Sequence, residues 1–280
     1  MPAKIIDGNK IAKSILENLK SKIKSMKQKP GLALVMVGSN PASEVYVNFK
    51  EKDAKEAGVY CERYNLAEDT KEMDLLNLLN KLNNNPKLHG ILVQLPLPKH
   101  IDEKLVTDYV LPQKDVDGFT TVNLGSLMAE KTIIAPATAR AAIHLIESTG
   151  TKIEGKNAVV IGRSNIVGKP VALMLLEKNA TVTVCHSRTK NLTDYTKKAD
   201  ILVVAVGKAN LVTKEMVKEG AVVIDVGINR VGGKLVGDVD FENVKEVAGF
   251  ITPVPGGVGP MTRAMLMENT MKAMELSDKR

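Results

Sequence analysis

The sequence predicts an α/β protein of two domains, each built on parallel strands joined by crossover helices. Three observations predict it. At 280 residues the chain is long for one hydrophobic core and ample for two. Short apolar runs alternate with stretches of helical periodicity, the pattern of strands buried between crossover helices. From Asn157 onward the alternation tightens into a βαβ series of the doubly wound kind.

Taken in order, Ile11, Ile15, Leu16, Leu19 and Ile23 recur at helical spacing with Lys, Glu and Ser between them, so an amphipathic helix opens the chain and Pro30 and Gly31 end it. Residues 32–37 form a short apolar run, read as a buried strand, and Gly38-Ser39-Asn40-Pro41 is a loop. Ser43 is expected to cap a helix through residues 46–57 that Gly58 terminates. Leu75, Leu76, Leu78, Leu79 and Leu82 mark another helix, broken at Asn83-Asn84-Asn85-Pro86. Residues 90–94 are a second buried strand, which puts Gln94 at a strand's carboxyl end, where such folds carry their functional loops. Residues 99–125 are rich in loop formers, and the junction is expected near their end: residues 1–121 with 262–280 as one domain, 122–261 as the other. A helix over 138–149 leads into the second domain. Strands follow at 159–161, 181–185, 201–205 and 221–226, with a helix at 167–177. The last helix, 262–276, is expected to return to the first domain.

Hydrophobic residues make up 44% and charged residues 25%, the mix of an ordinary globular protein. With no Trp and 3% aromatic residues the core must be aliphatic, and base-stacking platforms are scarce, which argues against nucleic acid as a partner. The net charge of +7 is scattered among acids; this is the pattern of a solvated surface, and it can also gather polyanionic ligands. Cys61 and Cys185 are too few for a disulfide framework and lack metal-ligand spacing. A reducing, cytoplasmic location is therefore expected. No apolar run suggests a signal peptide or a membrane span, and the four histidines form no HExxH-like pattern, so neither membrane nor metal is expected.

Gly162-Arg163-Ser164-Asn165-Ile166-Val167-Gly168 lies where a strand meets a helix, a place where backbone N–H groups can hold phosphate oxygens. The spacing is not GxGxxG, so on its own the stretch equally fits an α/β turn without a ligand. The following strand ends Cys185-His186-Ser187-Arg188, with no acid for an adenosine ribose. Arg163, Ser187 and Arg188 instead suit an additional phosphate, which favours NADP over NAD. Tyr46 and Lys50, four apart on one helix, share a face. Read alone, the pair also fits a packed Tyr beside a Lys reaching solvent. Asp115-Val116-Asp117-Gly118 lacks the further acids of a calcium loop. One carboxylate there can accept two hydrogen bonds from a planar donor edge such as a pterin's, and the stretch also fits an ordinary Asx turn. Pro253-Val254-Pro255-Gly256-Gly257-Val258-Gly259-Pro260 is rigid and glycine-bearing, suited to close backbone approach or to a domain linker.

Five stretches in this order resemble the bifunctional methylenetetrahydrofolate dehydrogenase/cyclohydrolase family along nearly the whole chain. They are Tyr46-Val47-Asn48-Phe49-Lys50-Glu51-Lys52, Gly90-Ile91-Leu92-Val93-Gln94-Leu95-Pro96-Leu97-Pro98, Lys114-Asp115-Val116-Asp117-Gly118-Phe119, residues 162–170 and residues 253–262. The resemblance implies an N-terminal folate-binding catalytic domain and a C-terminal Rossmann-type NADP domain. It makes Lys50 the main catalytic residue, with Tyr46 packing on the folate, Gln94 holding the lysine and Asp117 gripping the pterin. Ser43 is a lesser candidate in the same pocket. It places NADP at Gly162, Arg163, Ser164, Ser187 and Ile228, to which the phosphate reading above adds Arg188, and it lines the folate cleft between the domains with Pro255, Gly256 and Gly257. Tetrahydrofolate derivatives as substrates and a homodimer through the cofactor domain are also implied.

The implied chemistry asks little of side chains in its first half. Oxidising the methylene bridge leaves a cation shared by two flanking nitrogens, so alignment against the nicotinamide is the main requirement. Hydrolysis of the methenyl product needs water to attack and protons to move, and a lysine whose pKa is lowered by burial or by the cationic substrate suits that work. One departure stands out: where the family commonly reads Pro-Cys-Thr-Pro before a Gly, this chain has Pro136-Ala137-Thr138-Ala139-Arg140-Ala141. Thr138 is expected still to cap the helix, with a changed helix start. The competing readings are a dehydrogenase weak in hydrolysis or preferring NAD, and a ligand-sensing module without catalysis.

Overall fold

A computed structural model describes residues 2–278, apart from the side chain of Ala42. Two compact units emerge, one of residues 13–137 with 263–280 and the other of residues 1–12 with 138–262. In chain order the elements are β1 (Lys4–Ile5), α1 (Gly8–Lys24), β2 (Gly31–Val37), α2 (Pro41–Ala57), β3 (Tyr60–Leu66), α3 (Glu72–Asn83), β4 (Gly90–Val93), α4 (Glu103–Tyr109), α5 (Thr121–Met128) and α6 (Ala137–Ser148). They continue with β5 (Asn157–Ile161), α7 (Gly168–Glu177), β6 (Thr181–Cys185), α8 (Leu192–Thr196), β7 (Ile201–Val204), β8 (Val222–Asp225), β9 (Asn229–Val231), β10 (Lys234–Val236), α9 (Phe241–Val244), β11 (Phe250–Ile251) and α10 (Val258–Ser277).

The first unit holds a parallel sheet in the order β3-β2-β4. Central β2 is buried along its whole length, as expected of a strand covered on both faces. Ala33, Val35 and Val37 meet Leu75, Leu79 and Leu82 of α3 in one apolar cluster with Ile91 and Val106. Strand β3 was not foreseen. It is an edge strand whose Tyr60, Glu62, Arg63 and Asn65 interrupt the apolar pattern, and polar side chains of this kind protect an open edge. The α2 helix begins at Pro41, earlier than expected, and its cap is Asn40 rather than Ser43: the Ser43 N–H donates to Asn40 Oδ1 at 3.1 Å. Pro41 is well placed at the first helical position because its missing N–H would have had no intrahelical partner.

The second unit is a six-stranded parallel sheet in the order β1-β11-β8-β7-β5-β6. From β5 the chain steps outward to β6, then returns past β5 to β7, so the direction of winding reverses between β5 and β7. Open α/β sheets bind ligands outside the carboxyl ends of strands at such a reversal. Val159, Ile161, Leu202, Val204, Val223 and Ile251 form its core. The N-terminal residues, expected with the first domain, pair instead with β11 (Lys4 opposite Phe250, Ile5 opposite Ile251) and extend that sheet by one strand. Residues 122–137, expected with the second domain, group with the first unit. Asn123 donates to Asp115 Oδ2 at 2.8 Å and Asn269 donates to the carbonyl of Ala135 at 3.0 Å, tying this segment to that unit. From Arg263 onward α10 belongs to the first unit, the return that was expected. The helix nevertheless starts at Val258, inside the Pro-Gly stretch.

Candidate active site and cofactor cradle

Lys50 leaves α2 one turn after Tyr46, and both are half-buried on the same face of the helix. The Lys50 ammonium donates to Gln94 Oε1 at 3.0 Å. Gln94 follows directly on β4. Its main-chain N–H donates to the carbonyl of Val35 at 2.8 Å, and its Nε2 donates to the carbonyl of Leu95 at 2.7 Å. The amide is thereby oriented with its oxygen toward the lysine, which it holds without adding charge.

Asp117 comes from the turn that follows. Ile91 of β4 donates to the carbonyl of Lys114 at 2.7 Å, so the 114–117 stretch runs beside the strand end. Its two acids divide the work. Asp115 is buried and makes the turn, its carboxylate accepting from Gly118 N–H (2.9 Å), Thr120 N–H (2.8 Å) and Asn123 Nδ2 (2.8 Å). Asp117, the other acid, is coupled electrostatically to Lys50. Burial lowers the pKa of Lys50 from the ordinary lysine range; Asp117 opposes that shift and Arg263 adds to it. Burial raises the Asp117 carboxyl, against the pull of Lys50 and helped by Asp115. Desolvation thus pushes both partners toward their neutral forms, and their mutual attraction offsets part of it.

The turn depends on Gly118, whose φ is +75° and whose missing side chain would meet Pro136 N at 2.6 Å. Gly118→Ala is expected to cost about 2 kcal/mol from strain and clash together, read by denaturant unfolding, because the contact is backbone that cannot swing aside. Pro136 and the start of α6 lie against this turn: Ala137 N–H donates to the carbonyl of Asp117 at 3.3 Å. The helix starts at Ala137, so Thr138 lies within its first turn rather than capping it, and Ala139, at the place of the family's second Pro, is buried.

Sequence reasoning missed Arg263. Its Nε donates to Asp53 Oδ2 at 2.5 Å and its guanidinium stacks over Phe49, 4.9 Å from the ring centroid. Asp53 follows Lys50 by three residues on α2, while Arg263 is 210 residues farther on, so no local pattern could reveal the pair. Ser43 is buried in the first turn of α2.

The cofactor candidates lie in the other unit. Gly162 follows β5 with φ +123°, its N–H donating to the carbonyl of Cys185 at the end of β6 at 2.9 Å. A side chain there would meet the Ala205 carbonyl oxygen at 2.2 Å, and one at Gly168 would meet the Gly162 oxygen at 2.2 Å. Main chain therefore closes on itself at this turn in a way only glycine permits, as a dinucleotide cradle requires. Ser164 Oγ accepts from the N–H groups of Val167 (3.2 Å) and Gly168 (3.3 Å). These helix-start amides, which the sequence left available to a phosphate, are engaged by the serine. Arg163 and Ser164 are exposed, as are Ser187 and Arg188, and the pairing of Ile161 with Cys185 brings the two turns to one edge of the sheet. Ile228, also exposed, follows β8 at the same edge, two strands over. Pro255, Gly256 and Gly257 belong to this unit too, with Gly256 O accepting from Asn9 N–H at 3.2 Å and Gly256 at φ +108°. Among the described residues, no group of three His, Cys, Asp or Glu is placed to hold a metal, and no helix is long and apolar enough to cross a membrane.

Comparison with known proteins matches both halves. The tetrahydrofolate dehydrogenase/cyclohydrolase catalytic domain matches residues 6–117, and the NAD(P)-binding domain of the same family matches residues 136–278. The bifunctional protein FolD of Moorella thermoacetica is 55% identical over 98% of this chain and 99% of its own. Among solved structures, the bifunctional FolD methylenetetrahydrofolate dehydrogenase/cyclohydrolase of Campylobacter jejuni superposes with a TM-score of 0.96 at 48% identity, covering 98% of this chain and 99% of its own. The Trypanosoma brucei methylenetetrahydrofolate dehydrogenase-cyclohydrolase, solved with NADP and an inhibitor, superposes with a TM-score of 0.95 at 38% identity over 100% of both chains. With both domains matched in order and relatives of this identity aligned end to end, the chain belongs to the tetrahydrofolate dehydrogenase/cyclohydrolase family.

Proposed function

We propose that the chain oxidises 5,10-methylenetetrahydrofolate to the 5,10-methenyl form with NADP and then hydrolyses that product to 10-formyltetrahydrofolate, in the cytoplasm. The observation that carries this reading is Lys50 with its pKa lowered by burial, bonded to the neutral amide of Gln94 and coupled to Asp117. Bound NADP supplies the acceptor for the hydride that leaves the bridging methylene. For that step the protein aligns the folate, with Tyr46 as its packing surface and the Asp117 carboxyl as its hold on the pterin amino-pyrimidinone edge. The raised Asp117 pKa fits a group able to share a proton with that edge. For hydrolysis, the neutral lysine takes a proton from the attacking water as oxygen bonds to the methenyl carbon; the carbon–nitrogen bond at N5 then breaks and N5 receives a proton. Gln94 keeps the amine in place in either protonation state.

Gly162, Gly168 and the exposed donors Arg163, Ser187 and Arg188 fit a dinucleotide bearing an additional phosphate, with Ile228 flanking it. The edge strand β6 and its neighbour α7 expose Val184 and Leu176, which supports pairing of two chains through this unit. Light scattering is expected to report a dimer, and Val184→Lys a shift toward monomer. The catalytic reading is tested with methylenetetrahydrofolate and either NADP or NAD, following reduced cofactor and methenyl absorbance separately. NADP reduction without lasting methenyl signal is the expected result. Persistent methenyl means a dehydrogenase weak in hydrolysis, and no turnover of either substrate means a binding module.

A further inference from the structure

We propose that Asp238 is a positioning residue for the nicotinamide end of the cofactor, a buried carboxylate that holds the loop after β7 in the shape the ligand meets. The inference rests on the NADP reading above. With the adenosine phosphate at the ends of β5 and β6, the rest of the ligand must run the other way, over the ends of β7 and β8. The loop after β7 is Val206, Gly207 and Lys208, all three exposed. Their three successive N–H groups converge on one carboxylate: Val206 (2.7 Å) and Gly207 (2.9 Å) donate to Asp238 Oδ2, and Lys208 (2.8 Å) donates to Oδ1. Because a peptide's C=O points opposite its N–H, the carbonyls of Val206 and Gly207 are turned away from the buried acid, toward the exposed side of the loop. A carboxamide carries N–H donors, and outward carbonyls are the acceptors it needs.

The same carboxylate reaches the next strand end. Asn229 Nδ2 donates to Asp238 Oδ1 at 2.9 Å, which fixes the turn after β8 that carries Ile228. Asp238 is itself held by a second buried acid: Asp225 accepts from Asp238 N–H at 3.0 Å and Gly227 N–H at 3.0 Å through Oδ1, and from Val239 N–H at 2.8 Å through Oδ2. Glycines let the two acids pack this closely, since a side chain at Gly227 would fall 2.1 Å from Asp238 Cγ and one at Gly237 would fall 1.9 Å from Asp225 Oδ2. Asp238 has 0% exposure, so it acts through the loops and does not itself touch the ligand.

The test compares two probes by calorimetry on the full chain: NADP, and adenosine 2′,5′-bisphosphate, which lacks the nicotinamide half. Asp238→Asn turns an N–H donor toward N–H donors and is expected to weaken NADP by about tenfold or more while the fragment's affinity stays within twofold. In turnover kcat should fall with the misplaced nicotinamide. Equal losses for both probes would reveal a merely structural residue and overturn the proposal, as would unchanged NADP affinity. If Asp238→Asn does not fold, Asn229→Ala removes one donor to the same carboxylate and is read by the same two titrations, a selective loss for NADP again being expected. Wild-type protein that binds neither probe overturns this inference together with the cofactor reading beneath it, whereas a failed Asp238→Asn result with wild-type binding intact overturns this inference alone.

Discussion

Lys50→Gln is expected to lower hydrolysis of the methenyl substrate by about a thousandfold, the scale of losing a well-placed general base. The substitution keeps a side chain of comparable reach and an amide able to bond Gln94, so the site need not collapse. What it removes is the amine. Lys50 is half-buried with Gln94 as its hydrogen-bond acceptor, and desolvation lowers its pKa from the lysine range. Hydrolysis should therefore rise with pH as Lys50 loses its proton, along a limb that lies below the ordinary lysine range and is absent from Lys50→Gln.

The charged groups acting on Lys50 are Asp117, from the turn beside β4, and Arg263, from α10, and they shift that limb in opposite directions. Asp117 stabilises the ammonium, so Asp117→Asn should move the limb to lower pH. Arg263 destabilises the ammonium, so Arg263→Gln should move it to higher pH. The sign for stability is the reverse of a salt-bridged lysine's. With the folded pKa below the unfolded value, the unfolded chain binds more protons between the two, and the Lys50 contribution to stability rises with pH across that window. A pH profile unchanged by Lys50→Gln would falsify the assignment.

Gly162→Val is expected to lower NADP affinity on the order of 100-fold, about 2.7 kcal/mol. Two independent constraints meet at this position. The backbone sits at φ +123°, which a β-branched residue rarely adopts, and the first carbon of any side chain would lie 2.2 Å from the Ala205 carbonyl oxygen. That oxygen cannot easily retreat, since Ala205 N–H is bonded to the carbonyl of Ile161 at 2.8 Å across β5 and β7. The ends of the two strands must separate, and the reversal point where a dinucleotide would lie opens with them. Calorimetry with NADP measures the loss. Hydrolysis of supplied methenyl substrate needs no cofactor and serves as the check that the catalytic unit remains folded. Retained NADP binding would remove Gly162 from the cradle.

The sequence by itself determined the α/β class, the place of most strands and helices, and the residues worth testing. Periodicity and glycine placement are local, and β2, β4, β5, β7 and β8 are buried strands whose apolar runs announce them. Lys50 and Tyr46 were legible as a pair because four residues on a helix make one turn. Gln94 was legible as a strand end. What escaped was set by partners distant in the chain. Strand β3 is polar because it is an edge, and β1 exists because β11 offers it a register 246 residues away, at Lys4 and Phe250.

Tertiary structure alone decided the division of labour between Asp115 and Asp117, which look equivalent in a stretch of four residues until Thr120 and Asn123 fold back onto the first. It alone brought Arg263 to Asp53, and it alone joined Asp225 and Asp238 beneath the loops after β7 and β8. In each case the physical reason is the same. A buried charge must find its hydrogen-bond partners, and the chain supplies them from wherever the packed strands and helices bring them within reach.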